Sequence, residues 1–121
     1  MTKHTIHECE VDAKQLPGRK HKMIIGPDHF GKAQNMCFGV AEFPPETKAP
    51  AHVHPKEEEV IYVLSGWGEI YFDGEPEPMG PGICIYIPSG VEHAIHNKGY
   101  EVLKVAYVFS PPVVQGSYDR K

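Results

Sequence analysis

The sequence predicts an all-β protein, an antiparallel sandwich or barrel of about eight to ten short strands. Val, Ile, Tyr and Phe cluster in short runs, as β-branched and aromatic residues do in strands. The 12 Gly and 12 Pro residues indicate many tight turns between those runs. Helix signals are weak throughout the chain, so strands are expected to build the core.

The length of 121 residues predicts a single domain with a modest core. We expect the core barrel to occupy residues 22–110, with an N-terminal edge strand and a C-terminal tail outside it. The formal charge of -4 disfavours nucleic acid and anionic membranes as partners, because both attract basic proteins. The expected partners are a small molecule and a second copy of the chain.

The cysteines and the N-terminus predict a cytoplasmic location. Cys9, Cys37 and Cys84 are widely spaced and form no CxxC pair, which argues against a disulfide framework and against a thiolate zinc site. The opening residues lack the apolar segment of a signal peptide, and no stretch is long enough to span a membrane.

The first quarter of the chain contains an edge strand and a polar link. Residues 4–11 alternate poorly and are predicted to form the edge strand. Residues 14–22 are predicted to be the link, with a turn at residues 16–18 (LPG). The basic cluster at residues 19–22 (RKHK) could bind an anionic ligand, but a solvated loop is the favoured interpretation.

Strand signals then recur along the chain. Short strands are predicted at residues 22–25 and 36–43, and the second stops at Pro44-Pro45 because proline cannot donate to a sheet ladder. Residues 59–64 (EVIYVL) give the strongest strand signal.

Two histidines lie just before that strand. If residues 51–54 are extended, His52 and His54 emerge on the same side, about 7 Å apart. Glu59 stands at the strand entrance and could supply an oxygen ligand, and His93 is the best candidate for a third nitrogen. Three neutral imidazoles and one carboxylate suit a divalent first-row transition metal that keeps positions open for water or substrate.

The second half continues the β pattern. A hairpin turn leads to a return strand at residues 68–72, and residues 75–82, with three prolines, are predicted to form an irregular loop. Residues 83–87 (ICIYI) place three isoleucines on one face of a strand. The last strand, residues 102–109, places four large side chains on one side: Leu103, Val105, Tyr107 and Phe109.

Two blocks of the sequence resemble the paired signature motifs of the cupin superfamily. The first is His52-x-His54, four residues, Glu59, six residues, Gly66. The second is Gly82, five residues, Pro88-x-Gly90-x-x-His93, three residues, Asn97. Their joint occurrence in this order is specific, and the chain is similar to small single-domain cupins.

The resemblance implies a double-stranded β-helix, or jelly roll, with a divalent transition metal (Mn, Fe, Ni, Co or Zn) inside the barrel. The implied ligands are His52, His54, Glu59 and His93. Glu59 is preferred to Glu58 because its spacing to Gly66 fits the first motif. That motif usually opens with glycine where this chain has Glu46, which puts the loop shape in question rather than metal binding.

Other polar residues are weaker candidates for a role at the site. His96 is expected to face away from His93, at the surface or behind the ligands. Tyr107 would be a pocket hydroxyl if its face lines the barrel, although a packed core tyrosine is favoured. Glu42, Glu69 and Tyr71 could be acid or base groups, since strand parity alone does not say which face is inside.

The remaining histidines and one cysteine are predicted to have no role at the site. Cys84 is expected to be a buried, inert thiol. Four histidines in polar stretches are expected to be exposed to solvent: His4, His7, His21 and His29.

Three functional hypotheses are consistent with these motifs. The leading one is a metal-dependent enzyme, of the dioxygenase, decarboxylase or isomerase type, acting on a small oxygen-rich metabolite. The second is a non-catalytic binding or sensing protein, and the third is a dimer whose barrel is vestigial; the fold alone does not choose among them. A homodimer is expected, because the outer sheet face needs a cover.

Overall fold

Ten strands build this protein in the part of the chain that its computed structural model describes, residues 3–114. They are β1 Lys14–Leu16, β2 Arg19–Ile25, β3 Cys37–Phe43, β4 Lys48–His52, β5 Glu58–Ser65, β6 Gly68–Phe72, β7 Glu75–Met79, β8 Cys84–Ile87, β9 His93–His96 and β10 Leu103–Ser110. The all-β prediction is confirmed. The predicted C-terminal tail falls largely outside the described residues.

The strands form two antiparallel sheets with jelly-roll connections. One sheet has the order β1-β2-β3-β10-β5-β8 and the other the order β4-β9-β6-β7. Strands far apart in sequence lie side by side, with β10 between β3 and β5, and β9 between β4 and β6. This arrangement brings the first and second motifs together, because β4 and β9 carry one histidine block each.

Alternation along the strands separates a buried face from an exposed one. The predicted inward face of β10 is confirmed, since all four of its large side chains are buried. In β8, Ile85 and Ile87 are buried, while Cys84 and Tyr86 point outward. The prediction that Cys84 is a buried thiol is therefore wrong: it is an exposed free cysteine.

Residues 4–11 do not form the predicted edge strand. They contain a short 3-10 helical turn, Glu8–Glu10, whose first N–H groups are capped by His7. This turn is tied to the outer face of the larger sheet, where Lys104 donates to the Glu8 carboxylate at 2.7 Å and Lys22 to the Glu8 carbonyl at 3.0 Å. Local capping and two lysines thus replace the pairing that a strand would need.

The predicted polar link at residues 14–22 is wrong as well, because β1 and the start of β2 occupy it as a hairpin. Gly18 lies in its turn at φ +74°, a conformation that favours glycine. A side chain there would meet the Lys48 carbonyl oxygen, so the hairpin turn packs directly against β4.

Residues 75–79 form β7 rather than part of an irregular loop. The strand lies at the edge of the smaller sheet, where Pro76 stands opposite Tyr71 and Pro78 opposite Glu69. Proline is tolerated at an edge because the missing N–H can fall on the side without a neighbouring strand. No helix within residues 3–114 has the length and apolar character needed to cross a bilayer.

Candidate metal centre

The two histidines of the first motif point into the barrel. β4 ends at His52, and His54 follows two residues later; both side chains are buried, whereas Val53 between them is 38% exposed. The predicted alternation is therefore confirmed. The edge of the His54 ring packs on Phe109 of β10, with 4.6 Å between ring centroids.

Strand pairing brings the second motif to the same place. β9 runs antiparallel to β4, and His93 stands directly opposite His52 in the register. The ring centroid of His93 lies 4.3 Å from that of His52 and 5.1 Å from that of His54. One ligand atom from each of the three histidines lies within 4.8 Å of the others, so the cluster could hold a metal ion.

Glu59 approaches this cluster from the opposite sheet. Its Oε1 lies 3.5 Å from the Nε2 atoms of both His54 and His93, longer than an ordinary hydrogen bond. Oε1 of Glu59 and Nε2 of His93 are buried and have no hydrogen-bond partner among the described residues. Buried polar atoms are rarely left this way unless an ion or water completes them.

The neighbouring Glu58 plays a different part, as the sequence spacing predicts. Its side chain is exposed and accepts a hydrogen bond from the Tyr86 hydroxyl at 2.7 Å. Of the two consecutive carboxylates, only Glu59 faces the histidines, because they point to opposite faces of β5.

Backbone carbonyls orient two of the imidazoles. Nδ1 of His52 lies 2.9 Å from the Pro50 oxygen, and Nδ1 of His93 lies 3.0 Å from the Val91 oxygen. A carbonyl can only accept, so these Nδ1 atoms carry the proton and the Nε2 lone pairs are available to a metal.

Burial and charge favour the protonation states that metal binding needs. Burial, followed by the neighbouring His93, lowers the pKa of His52 to about 4, so this imidazole is neutral at pH 7. Burial acts to raise the pKa of the Glu59 carboxyl, but His54 and His93 outweigh it, and the pKa is lowered. The cluster therefore presents a neutral nitrogen and a carboxylate anion to the centre.

A small cavity of about 30 Å³, enough for an ion and a water molecule, lies beside the histidines inside the barrel. Most of its lining is apolar, including Phe43, Ile61 and Ile95. Tyr107 also lines it, packed parallel to His21 with ring centroids 4.9 Å apart. The phenol fits because residue 39 is glycine: a side chain there would meet its oxygen.

Two cavity residues, Arg19 and His21, were assigned to a solvated loop by sequence reasoning, and that assignment is wrong. Both are buried, at 4% and 2% exposure, and both line the cavity. Lys20 and Lys22 alternate with them and point outward. This period-two pattern was the signal in the sequence that could have identified β2.

The other predicted acid and base candidates lie elsewhere. Glu69 accepts hydrogen bonds from Tyr71 and Lys98 on the outer side of the smaller sheet. Glu42 lies with lysines of β2 on the outer face of the larger sheet. His96 alternates with the buried His93 in β9 and is only partly buried. None of these residues lines the cavity.

The loop before β4 has Glu46 where the motif usually has glycine. Glu46 adopts φ +61°, the left-handed conformation that glycine would take most easily. The hydroxyl of Thr47 donates to the Pro44 carbonyl at 2.7 Å and helps to hold this turn.

Comparison with known proteins agrees with this fold and site. The family model described as "Cupin domain" matches residues 39–109, more than half of the chain. The protein therefore belongs to the cupin family, and the resemblance expected from the sequence motifs is confirmed.

Individual relatives point to the same class. The polyketide synthase protein CurC of Streptomyces cyaneus is 31% identical over 106 residues, covering 84% of this chain and 68% of that protein. The polyketide cyclase RemF of Streptomyces resistomycificus superposes with a TM-score of 0.76 at 27% identity, over 98% of this chain and 92% of that one. A predicted oxalate decarboxylase from Thermotoga maritima gives a TM-score of 0.79 at 20% identity, over 89% and 99% of the two chains, a likeness of fold alone.

Proposed function

We propose that this cupin binds one divalent transition metal ion through His52, His54, His93 and Glu59. The convergence of three buried imidazoles within 4.8 Å is the observation that carries the proposal. The Glu59 oxygen beside two of them supplies a fourth donor and a negative charge. Imidazole and carboxylate together suit Mn, Fe, Ni, Co or Zn.

The proposed activity is metal-dependent turnover of a small, oxygen-rich metabolite by a dioxygenase, decarboxylase or isomerase type of reaction. A bound metal would act as a Lewis acid on a carbonyl or carboxylate oxygen. The chain's own residues would orient the substrate and exclude water, since mostly apolar side chains line the cavity. The names of CurC and RemF favour molecules with neighbouring carbonyl groups, such as diketones.

The first experiment measures the metal content of the purified protein and of two matched variants. Wild-type protein should contain about one divalent ion per chain, a stoichiometry set by a single four-donor site. Glu59→Gln should lower metal affinity, because the carboxylate charge is lost. Glu58→Gln, the adjacent exposed carboxylate, should leave affinity unchanged. Equal metal content in both variants would remove Glu59 from the ligand set.

The same metal-loaded protein separates an enzyme from a binding or sensing protein. A panel of oxygen-rich acids and diketones is assayed for turnover and, in parallel, for binding by calorimetry. Turnover of one compound supports the enzyme, and tight binding without turnover supports the sensing alternative. If the protein neither turns over nor binds any chelating compound of the panel, the proposed activity is contradicted.

A homodimer in the cytoplasm completes the proposal. The outer face of the larger sheet exposes apolar side chains, among them Tyr62 at 46% and Tyr86 at 57%. Light scattering should report a dimer that Tyr62→Glu disrupts. Tyr100→Glu, which changes an exposed loop residue away from the strands, should leave the dimer intact.

The free thiols of Cys9, Cys37 and Cys84 are consistent with a reducing compartment.

A further inference from the structure

The larger sheet ends in β8, which is the last strand in the order β1-β2-β3-β10-β5-β8. The three other sheet edges carry proline or lysine, residues that hinder pairing with an added strand. They are Lys14 in β1, Pro50 in β4, and Pro76 and Pro78 in β7. The sequence of β8, CIYI, contains neither residue type. β8 is therefore the sheet edge that is most open to another strand.

The ladder between β5 and β8 shows which backbone groups face this open edge. Just before β8, the N–H of Val63 donates to the Ile83 carbonyl at 3.0 Å. In an antiparallel ladder, such hydrogen-bonded pairs alternate with pairs whose N–H and C=O groups point away from each other. Cys84 and Tyr86 therefore belong to pairs of the second kind. Their N–H and C=O groups face the side where residues 3–114 provide no neighbouring strand.

An apolar groove of about 350 Å³ runs along the same edge, between β8 and the β6–β7 hairpin. Phe72, Ile83 and Val91 line it, and each is partly buried against the hydrophobic core. Every second side chain of a strand points to the same face of its sheet. A strand paired with β8 would therefore turn one row of its side chains toward this apolar lining.

The charges at this edge are negative. Glu77 is exposed, and it is the only charged residue among the described residues that line the groove. The carboxylate of Glu58, which is also exposed, accepts a hydrogen bond from the Tyr86 hydroxyl at 2.7 Å. A second copy of β8 would bring the same carboxylates together, which disfavours it as the occupant. A strand with basic side chains complements these carboxylates.

We propose that the β8 edge binds an extended segment of another protein, in which apolar side chains alternate with lysine or arginine. The segment adds to the larger sheet as a strand and exchanges backbone hydrogen bonds with Cys84 and Tyr86. Its apolar side chains contact the lining of the groove, and its basic side chains are attracted to Glu58 and Glu77. The metal centre takes no part in this contact.

The first test measures peptide binding to the full-length protein by fluorescence anisotropy. The heptapeptide KVKVKVK, with an N-terminal fluorescein, should bind at least about tenfold more tightly than EVEVEVE. Glu77→Lys should weaken KVKVKVK about fivefold more than Glu101→Lys, which makes the same charge change on an exposed residue between β9 and β10. Equal losses would mean a general attraction to an acidic protein and would overturn the site.

Two substitutions of Cys84 test the strand pairing itself. Cys84→Pro removes one N–H from the open edge, at the first residue of the strand, where proline is tolerated. Cys84→Ala removes the thiol and keeps that N–H. KVKVKVK should bind Cys84→Pro about fivefold more weakly than wild type and Cys84→Ala within about twofold of it. Equal affinities of the two variants would contradict the pairing.

Methylated peptides cover the case in which Cys84→Pro folds poorly, which near-ultraviolet circular dichroism detects. One version of KVKVKVK carries N-methyl groups on its lysine nitrogens and another on its valine nitrogens, so each lacks the N–H groups along one side of the strand. At least one version should bind wild type about tenfold more weakly than the unmethylated peptide. Undiminished binding of both versions overturns the added strand.

Light scattering identifies a different occupant of the edge. If wild type does not bind KVKVKVK, the proposed partner is wrong. If, in addition, Cys84→Pro forms a smaller assembly than Cys84→Ala, the β8 edge pairs with a second copy of the chain instead.

Discussion

Two groups of buried polar side chains occupy this barrel, and they differ in how their hydrogen bonds are completed. Asn97 is fully buried; its amide group donates to the carbonyls of Phe43, Pro44 and Glu101, and its oxygen accepts from the N–H of Gly99. Glu59 and His93 are also buried, yet each keeps one atom without a partner among the described residues.

The difference separates a polar group whose hydrogen bonds are complete from a cluster that could hold an ion. The bonds of Asn97 tie the end of β9 to the chain after β3, and every polar atom of its side chain is used. At the histidine cluster the unmet atoms converge on one point, where only an added ion or water can complete them. Both sets belong to the paired motifs, so motif membership alone does not distinguish them.

The largest expected effect is on stability, at Asn97. Asn97→Ala should lower the free energy of unfolding by about 3 kcal/mol, because it removes the buried amide group that donates to the Phe43, Pro44 and Glu101 carbonyls. Urea denaturation measures the loss. The exposed Asn35→Ala serves as control and should change stability by less than about 0.5 kcal/mol. An equal loss in both variants would erase the distinction drawn for Asn97.

The next effect is on metal affinity, at His93. His93→Ala should weaken metal binding by more than about 100-fold, since residues that merely orient a ligand already contribute about 10- to 100-fold. Competitive titration with a chelator measures this. His96→Ala removes a histidine from the same strand, away from the cavity, and should leave affinity unchanged; a comparable loss there would contradict the assignment.

Acid should weaken the metal-free protein through His52. The pKa of His52 is about 4 in the folded protein, against 6.5 for a histidine in the unfolded chain. Between these pH values the unfolded chain therefore binds a proton that the folded protein does not. Stability present above pH 6.5 is therefore lost as pH falls toward 4, by roughly 3 kcal/mol.

Urea midpoints of chelator-treated protein across that pH range measure this loss. His52→Asn cannot take up the proton, so its stability should depend less on pH over the same interval. Parallel curves for the two proteins would show that His52 does not cause the dependence.

The smallest effect is expected on the outer surface. The hydrogen bond from Lys104 lowers the pKa of the Glu8 carboxyl, yet both groups are partly solvated. Glu8→Gln should cost less than about 1 kcal/mol, and added salt should shrink the difference further. Denaturation in low and high salt measures it, with the exposed Asp12→Asn as control. A loss that salt leaves intact would mean that the N-terminal turn contributes by packing.

Much of the fold followed from local patterns. The alternation of large apolar side chains in β10 predicted its buried face correctly, because every second side chain of a strand points to the same face of the sheet. The failures were segments whose structure depends on distant partners. The prolines of β7 led to the prediction of a loop, although proline is tolerated in a strand at a sheet edge. The basic residues of β2 led to the prediction of a solvated loop, although its side chains alternate between buried and outward positions.

The candidate site divides in the same way. The spacing of the motifs predicted His52, His54, Glu59 and His93 as ligands, and the structure brings these side chains together. Arg19 and His21 carry no comparable motif. For Tyr107, the position in β10 gave the inward direction, and the neighbouring glycine of β3 made room for its phenol inside. Glu42, Glu69 and Tyr71 could be placed outside the cavity only when the two sheets were in view.

The sequence by itself determined the periodicity of the strands and the donor atoms of the proposed metal site, because side-chain direction and ligand chemistry are local properties. Only the tertiary structure decided that β4 and β9 pair, that Glu59 reaches their histidines from the opposite sheet, and that Arg19 shares their cavity. Those relations join residues far apart in the chain, and they exist only once the sheets pack and exclude water.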